Sequence, residues 1–206
     1  PKTAWPTSIF SFDFTGAKRG VLPASYDYLR LEGRMQYRLN LPPIGYSQLM
    51  LEGGKIFGKV PYLLLKLHEG NGTYFYDRYA FSCMNFYEFS SDAWISFFYE
   101  HHFNGFLLGR VPLLKKLNWR EVFVFKGVYG TLSARNDGSL PNTKAVMLFP
   151  VGMSSVEHPY LETGFGIENI FRLLRVDCIW RLTHHRAVPG LSIPTFTVNF
   201  SLNLKF

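Results

Sequence analysis

The clearest pattern along the chain is a strict alternation of apolar and polar residues between Tyr28 and Asn40. Successive side chains of a β-strand point to opposite faces, so this alternation predicts a strand with one apolar and one charged face. The same pattern recurs at 160–168, 176–183 and 196–206. In the first strand the apolar face carries Leu29, Leu31, Gly33, Met35, Tyr37 and Leu39, and the polar face carries Arg30, Glu32, Arg34, Gln36, Arg38 and Asn40.

The three later strands also have apolar faces that alternate with polar ones. Less regular runs predict further strands at 8–15, 46–55, 79–89, 93–103 and 119–133, which makes nine in all. In the run 119–133 both faces are half apolar, so its register stays open. The apolar faces of the later strands are Leu161, Thr163, Phe165 and Ile167, then Val176, Cys178, Trp180 and Leu182, then Phe196, Val198, Phe200, Leu202, Leu204 and Phe206.

Alternation of this kind is shared by membrane β-barrels and by soluble β-sandwiches or lipocalin-like barrels. The predicted strands favour a membrane barrel, because many are near the length of about 9 to 11 residues that a tilted spanning strand needs. No stretch of about 18 apolar residues occurs, which excludes a spanning helix and leaves strands as the only means of crossing. The sequence predicts an all-β fold, an antiparallel up-and-down transmembrane β-barrel, of which this chain is the C-terminal portion of about nine strands.

The last predicted strand ends on an aromatic residue at the final position of the chain, Phe206. Such an ending resembles the signal that the barrel-assembly machinery reads in bacterial outer-membrane proteins. This resemblance implies the cell outer membrane as the location, with lipid and the assembly machinery as partners. The residues assigned to the signal are Phe196, Val198, Phe200, Leu202, Leu204 and Phe206.

The start of the chain has neither an initiator methionine nor a signal region, although outer-membrane proteins are exported. Nine strands is also an odd number, whereas bacterial single-chain barrels have an even number. We therefore expect 1–206 to be the C-terminal part of one barrel domain. The signal peptide, any N-terminal domain and the first strands, which close against 192–206, are expected to lie outside this chain.

A short basic and apolar motif occurs twice, at a spacing of 51 residues. Weaker versions are present at 18–23 and 169–175, and each version suits a short amphipathic helix at a membrane surface. Counting back from the last strand places all four on the periplasmic side; reuse of one turn type for packing is an equally good interpretation. The two clear copies are Gly58, Lys59, Val60 and Pro61, and Gly109, Arg110, Val111 and Pro112.

Composition and charge narrow the classes of function. With 47% hydrophobic and 18% charged residues the chain lacks the signature of disorder. The formal charge is +7, but the basic residues are spread through strands and turns, so no nucleic acid partner is predicted. We expect the charges on the polar faces to form a lumenal salt-bridge network rather than a selectivity filter. Its predicted members are Arg30, Glu32, Arg34, Arg38, Glu162, Asp177 and Arg181.

Candidate catalytic and metal-binding residues do not form a recognisable set. His101 and His102 adjoin Glu100, but neighbouring strand residues point to opposite faces, so only one of the two can share a site with that carboxylate. No serine stands in a nucleophile elbow. We predict no metal, no cofactor and no enzymatic activity, with an outer-membrane hydrolase as the alternative. The candidate residues for hydrolysis are Ser133, Ser154, His158, His185, Glu157 and Asp177. Cys83 and Cys178 are expected to be unbridged.

Several stretches resemble the C-terminal barrel of a family of unknown function. Its members are large Gram-negative outer-membrane proteins with an N-terminal carboxypeptidase-regulatory-like β-sandwich, and no catalytic residues are transferred from it. The resemblance implies a structural, transport or outer-membrane assembly or translocation role; an outer-membrane hydrolase and a soluble ligand-binding β-barrel remain the alternatives. The stretches are 103–108, 111–121, 159–162, 166–172 and 174–182.

The barrel of that family is distantly similar to the BamA-type superfamily. Proteins of that type fold a long loop with an Arg-Gly-aromatic motif into the lumen, about five strands before the C-terminus. Here the corresponding position is predicted to hold only the turn Ser90-Ser91-Asp92. The sequence therefore predicts that this chain lacks the long inward loop.

Overall fold

A computed structural model describes residues 8–19, 25–156, 158–185 and 192–202. Strands are the dominant regular element in these ranges, which also contain one short helix and two 3-10 turns at Tyr62–Leu64 and Leu108–Arg110. No helix in the described ranges has the length and apolar content to cross a membrane. The elements are β1 Ser8–Ala17, β2 Tyr28–Asn40, β3 Tyr46–Gly58, β4 Lys66–Leu67, β5 Phe89–Ser91, β6 Ala93–His102, α1 Pro112–Lys115, β7 Arg120–Thr131, β8 Ser154–Ser155, β9 Tyr160–Ile170, β10 Leu174–Arg181 and β11 Phe196–Leu202.

Eight of the strands form one antiparallel sheet, in which neighbours in the chain are neighbours in space. The order is β1-β2-β3-β6-β7-β9-β10-β11, and β4, β5 and β8 form a small second sheet. The predicted all-β, antiparallel, up-and-down fold is therefore confirmed. Within the described residues no pairing joins β1 to β11, so these two strands are the edges of the sheet.

The prediction of a strand at 79–89 is wrong. These residues lie in the connection 59–92 between β3 and β6, which folds over one face of the large sheet. Their alternating apolar residues contribute to a compact core instead of to a strand face, and this explains the false signal. The core consists of Met50, Phe81, Met84, Phe89, Phe98, Val128, Val156 and Tyr160.

The large sheet has an inner face, which the connections 59–92 and 132–159 cover, and an outer face. Strand registers place Arg34 opposite Glu52 and Lys126 opposite Glu162, all on the inner face. The register of β7, which the sequence left open, puts Val122, Val124 and Lys126 inside. The apolar faces predicted for β2, β9, β10 and β11 all form part of the outer face.

The connections differ in length between the two ends of the sheet. At the short-connection end lie 41–45, 103–119 and 171–173; at the long-connection end lie 18–27, 59–92, 132–159 and 182–195. Up-and-down topology determines this division, because each strand reverses the direction of its predecessor. The segment of 59–92 that covers the inner face is thus inserted from the long-connection end.

The two copies of the basic motif lie at opposite ends of the sheet, so the prediction that they share one side is wrong. Only β6 separates them in the sheet, and a single strand carries the chain from one end to the other. Val60 is buried while its counterpart Val111 is 44% exposed, so the same residue has different surroundings in the two copies. The third segment, 169–175, forms a tight turn and strand ends instead of a helix, and 20–23 of the fourth lies outside the described residues.

Part of the connection 59–92, which we call the inserted connection, also pairs with the edge strand β11. Tyr76 N–H donates to the carbonyl of Phe200 at 2.7 Å, and Phe200 N–H donates to the carbonyl of Tyr74 at 2.7 Å. Asn199 Nδ2 donates to the carbonyl of Thr73 at 3.1 Å. The backbone of 73–76 therefore satisfies polar groups that an edge strand otherwise leaves unpaired.

Candidate functional site

The inner face carries a dense set of buried charges, positioned by the alternation of β2, β3, β6, β7, β9 and β10. Buried charges are rare in proteins unless they are paired or hydrogen-bonded, so their partners indicate what the face is built to hold. Three neighbouring networks account for them. The buried charged residues on these strands are Glu52, Glu100, Lys126, Glu162, Glu168, Arg175, Asp177 and Arg181.

The first network joins β2 and β3 to the inserted connection. Lys66 Nζ lies 2.6 Å from Glu52 and 2.8 Å from Glu69, and the guanidinium of Arg34 lies 2.5 Å from Glu52. Arg30 and Glu32 pair with each other at 2.7 Å. Because Lys66 neighbours two carboxylates that favour its charged form, its pKa is raised despite burial.

The second network lies where β6, β9 and β10 meet. Glu100 accepts from Arg78 Nε at 2.9 Å and from Arg175 at 3.3 Å, and it also binds the hydroxyl of Tyr76. Arg175 forms a further ion pair with Asp177 at 2.8 Å. A methyl group on Gly166 would collide with the Asp177 carboxylate, so this glycine makes room for the pair. The network thus links two residues of the inserted connection to strands on the far side of the sheet.

The third network binds the backbone of the inserted connection directly. Lys126 Nζ donates to the carbonyls of Asp77 at 2.8 Å and Ala80 at 2.6 Å. Glu162 accepts from the amides of Ser82 at 2.9 Å and Cys83 at 2.7 Å. Two opposite buried charges therefore hold the same short backbone segment, 77–83. Arg181 adds an ion pair to Glu88 of the same connection at 2.5 Å.

The predicted charge network is divided among these three. Arg30, Glu32 and Arg34 lie in or beside the first, Asp177 in the second, and Glu162 and Arg181 in the third. Arg38 lies apart, with its guanidinium 3.9 Å from the ring centre of Tyr46. Sequence reasoning missed Lys66, Arg78 and Glu88, since all three come from a connection and follow no strand alternation. The partner residues Lys126 and Glu100 were detectable only as charges among apolar residues.

The predicted C-terminal signal residues are on the outer face of β11 as far as the described residues extend. Phe196 and Phe200 are exposed, and Val198 is half-buried. Leu204 and Phe206 lie outside the described residues. Of the basic motif copies, Gly58 ends β3, while Gly109 and Arg110 belong to a 3-10 turn followed by Pro112 at the start of α1.

The histidines near Glu100 separate to the two faces, as predicted. His101 on the outer face is hydrogen-bonded to Ser47 at 2.8 Å, and His102 on the inner face lies 3.2 Å from Glu168 and 3.3 Å from Glu100. Among the described residues no three His, Cys, Asp or Glu side chains are grouped as metal ligands.

The residues considered for hydrolysis are not assembled into a catalytic group. Ser154, His158 and His185 line one cavity of about 680 Å³, but no hydrogen bond joins this serine to either histidine in the part that the structure describes. Asp177 is bound to Arg175, and Glu157 lies outside the described residues. Ser133, in the connection 132–159, instead donates to Asp92 of the inserted connection.

The two cysteines lie on different sides of the sheet and are free. Cys83 belongs to the inserted connection and is buried against the sheet, where desolvation, followed by the nearby Glu162 charge, raises the pKa of its thiol to about 12. Such a thiol stays protonated at neutral pH and is a poor nucleophile. Cys178 is half-buried on the outer face. The Cys83 thiol is therefore not activated for nucleophilic attack.

Comparison with known proteins gives one family and no characterised relative. Residues 1–134 match the model of a family described as "Family of unknown function (DUF5686) C-terminal domain". The match covers well over half of the chain and includes β1 to β7 and the inserted connection. No curated protein matches the sequence.

Proposed function

Since the chain belongs to the DUF5686 family, whose function is unknown, we propose a role from its structure: it forms part of an outer-membrane β-barrel with a filled lumen. In this proposal the outer face contacts lipid and the inner face lines the lumen. The role is structural or serves transport or assembly at the outer membrane, without enzymatic chemistry. The proposal agrees with the predicted cell outer membrane location.

The observation that carries this proposal is the opposite chemistry of the two faces. Among its described positions the outer face of the eight-stranded sheet has only three acidic, basic or histidine side chains, Lys55, His101 and Glu121, and all lie near strand ends. Between them Phe12, Phe14 and Phe165 are 73%, 76% and 61% exposed. A soluble sheet buries its apolar face, whereas a membrane barrel turns it outward and keeps charges inside.

Strand and connection lengths give a second line of support. Most strands of the large sheet have 10 to 13 residues, as in β1, β2 and β3, long enough to cross a bilayer at a tilt. The connections at one end of the sheet are on average longer than those at the other. Outer-membrane barrels have the same asymmetry, with short periplasmic turns and long extracellular loops.

The filled inner face favours a role other than open diffusion. Residues of the connections 59–92 and 132–159 contribute to both apolar clusters against the inner face, including Phe81, Val156 and Phe149. A porin instead keeps a water-filled channel at this place. The inserted connection also precedes the last five strands of the sheet, so the predicted absence of a long inward loop is wrong. Its Arg78-Tyr79 pair lacks the glycine of the BamA-type motif.

The open edges of the sheet support the proposal that further strands complete the barrel. An unpaired strand edge in lipid leaves backbone groups without partners, at a cost of several kcal/mol each. Only part of β11 is covered, at Phe200, and β1 pairs with β2 alone among the described strands. We expect N-terminal strands of the same protein to close against these edges.

The orientation of the sheet in lipid is tested with two natural tryptophans on opposite faces. Trp180 is on the outer face and 41% exposed, whereas Trp94 is buried on the inner face. Variants that retain one or the other are reconstituted into phospholipid vesicles whose acyl chains carry bromine near the headgroup, where interfacial tryptophans reside. Bromine is expected to quench the fluorescence of the Trp180 protein and to leave the Trp94 protein unchanged.

An aqueous quencher provides the opposite measurement. If the proposal is correct, iodide quenches the Trp180 protein less in vesicles than in the unfolded state. A Trp180 protein that is open to iodide and insensitive to brominated lipid would contradict a lipid-facing outer surface and would favour the soluble ligand-binding barrel. Near-UV circular dichroism confirms that each variant is folded.

A further inference from the structure

A polar cavity of about 660 Å³ opens on the inner face at the short-connection end. Its walls come from seven strands of the large sheet, β2 and its six successors, and from the inserted connection. The volume is within the range of about 300 to 1,000 Å³ that is typical of small-molecule sites. The polar residues on its walls include Arg38, Asn104, Arg120, Glu168, Arg175 and Ser201.

Four guanidinium groups line this cavity, and two of them have carboxylate partners. Arg78 pairs with Glu100 at 2.9 Å, and Arg175 pairs with both Glu100 at 3.3 Å and Asp177 at 2.8 Å. The remaining acid on the wall, Glu168, is bound by His102 at 3.2 Å. The acids near the cavity are thus already engaged.

The other two guanidinium groups, of Arg38 and Arg120, have no carboxylate within 4.0 Å in the described part of the chain. Both side chains are half-buried. Arg38 stacks on the ring of Tyr46 at 3.9 Å, which orients the guanidinium but satisfies none of its donors. Since β3 and β6 lie between β2 and β7, the two arginines enter the cavity from different sides.

We propose that this cavity binds an anion of the phosphate or carboxylate class, with Arg38 and Arg120 as its cationic contacts. The planar fork of a guanidinium matches the paired oxygens of these anions and forms charge-assisted hydrogen bonds with them. A half-buried guanidinium without a partner carries a desolvation cost that such an anion offsets. The hydroxyl of Ser201 and the amide of Asn104 supply further polar contacts on the wall. The proposed site needs only the cavity, so it does not depend on where the sheet is placed.

The test measures inorganic phosphate binding by isothermal titration calorimetry, with the whole protein in nonionic detergent at constant chloride. Arg38→Gln and Arg120→Gln are each expected to weaken binding about tenfold, the loss of one charge-assisted contact. Arg110→Gln is the matched control, because Arg110 is exposed at the same end, stacks on Phe106 at 4.0 Å and lies outside the cavity lining. Its phosphate affinity is expected to equal that of the unsubstituted protein.

A second arm distinguishes a free anion from a lipid headgroup. Short-chain phosphatidylglycerol and phosphatidylcholine are titrated under the same conditions. If inorganic phosphate binds and the Arg38→Gln and Arg120→Gln variants lose this binding, the ligand is a soluble anion. If phosphatidylglycerol alone binds and the same two variants lose this binding, the ligand is a lipid headgroup. Both outcomes support the site. Binding that all three substitutions weaken equally, or no phosphate or phosphatidylglycerol binding in the millimolar range, would overturn it.

Conservative variants separate a loss of binding from a loss of folding. Arg38→Lys and Arg120→Lys keep the charge but lose the planar fork, so they are expected to bind more weakly than the unsubstituted protein and more tightly than the Gln variants. Near-UV circular dichroism is compared for all variants. If folded Arg38→Gln and Arg120→Gln variants bind phosphate as tightly as the unsubstituted protein, these arginines do not contact the anion and the proposal is wrong.

Discussion

At the scale of single residues, Lys126 and Glu162 show how the inner face holds its charges. Both are completely buried and lie opposite each other on neighbouring strands. Both charges are held by hydrogen bonds to the backbone of segment 77–83: Lys126 donates to two carbonyls and Glu162 accepts from two amides. Charge-assisted hydrogen bonds of this kind are stronger than neutral ones. These residues therefore anchor the inserted connection to the sheet.

Replacing Lys126 with Met tests this anchoring role. The substitution keeps an unbranched side chain of similar length but leaves the carbonyls of Asp77 and Ala80 without a donor, at a cost of roughly 2 kcal/mol. We expect a loss of that size in the free energy of unfolding in detergent. Limited proteolysis within 71–79 should become faster. Lys55→Met, which removes an exposed lysine from the outer face, is the control and should change neither quantity. Unchanged proteolysis of the Lys126 variant would contradict the anchoring role.

At the scale of elements, the connection 59–92 behaves as an integral part of the fold. It contributes Phe81 and Met84 to one apolar cluster and Val60 and Leu65 to the other. Asn136 of the connection 132–159 accepts from the amide of Val60 at 3.1 Å, which joins the two connections. A connection held this way opens together with the core instead of moving as a free loop.

Acidification is expected to loosen this element through His68. His68 is buried and contacts Ser91 at 3.0 Å, and desolvation, followed by the charge of Lys66, lowers its pKa to about 3. The unfolded chain takes up this proton near pH 6.5, but the folded chain does so only near pH 3. His68 therefore stabilises the fold above pH 6.5, and this contribution is lost as pH falls from about 6.5 to 3.

The measurement compares the free energy of unfolding at several pH values for the protein and for His68→Gln. The variant cannot take up this proton, so its stability should decline less between pH 6.5 and 3 than that of the unsubstituted protein. Carboxylates titrate in both proteins and cancel in the difference. His185→Gln, at an exposed histidine, is the control and should follow the unsubstituted protein. Parallel curves for the protein and His68→Gln would contradict the prediction.

At the scale of the whole molecule, the sheet separates two environments. Its inner face holds ion pairs and two apolar clusters under the connections, and its outer face exposes aromatic and aliphatic side chains on all eight strands. An exposed apolar surface of this extent is a liability in water unless it meets lipid or another protein. The proposed membrane position accounts for both faces at once.

A charge placed in the middle of the outer face should be costly in lipid. Phe165 is near the centre of β9 and 61% exposed, and Phe165→Lys at the bilayer midplane is expected to cost roughly 2–4 kcal/mol. Phe86→Lys, at a 63% exposed residue of the inserted connection, is the matched control and should have little effect. Urea unfolding in phospholipid vesicles, followed by tryptophan fluorescence, measures both. Equal stability of the two variants would place the outer face away from the hydrocarbon.

Much of the fold could be predicted because strand alternation is a local property. The two faces of β2, β9, β10 and β11 follow directly from residues two apart, and the structure confirms them. The error at 79–89 has the same origin, since a connection that packs Phe81 and Cys83 into a core imitates a strand. Without that strand, every connection before it lies at the opposite end of the sheet from the one that counting predicted. This is why the two basic motif copies, placed on one side by counting, lie at opposite ends.

The sequence by itself determined the all-β class, the faces of the regular strands and which charges of those strands belong inside, because a pleated strand alternates with period two in any surroundings. Only the tertiary structure decided which charges meet. Lys126 and Glu162 find backbone groups far away in the chain, Arg175 reaches Glu100, and Arg38 and Arg120 come to share one cavity. Such contacts depend on how the sheet curves and how the connections fold back over it, and no local pattern encodes either.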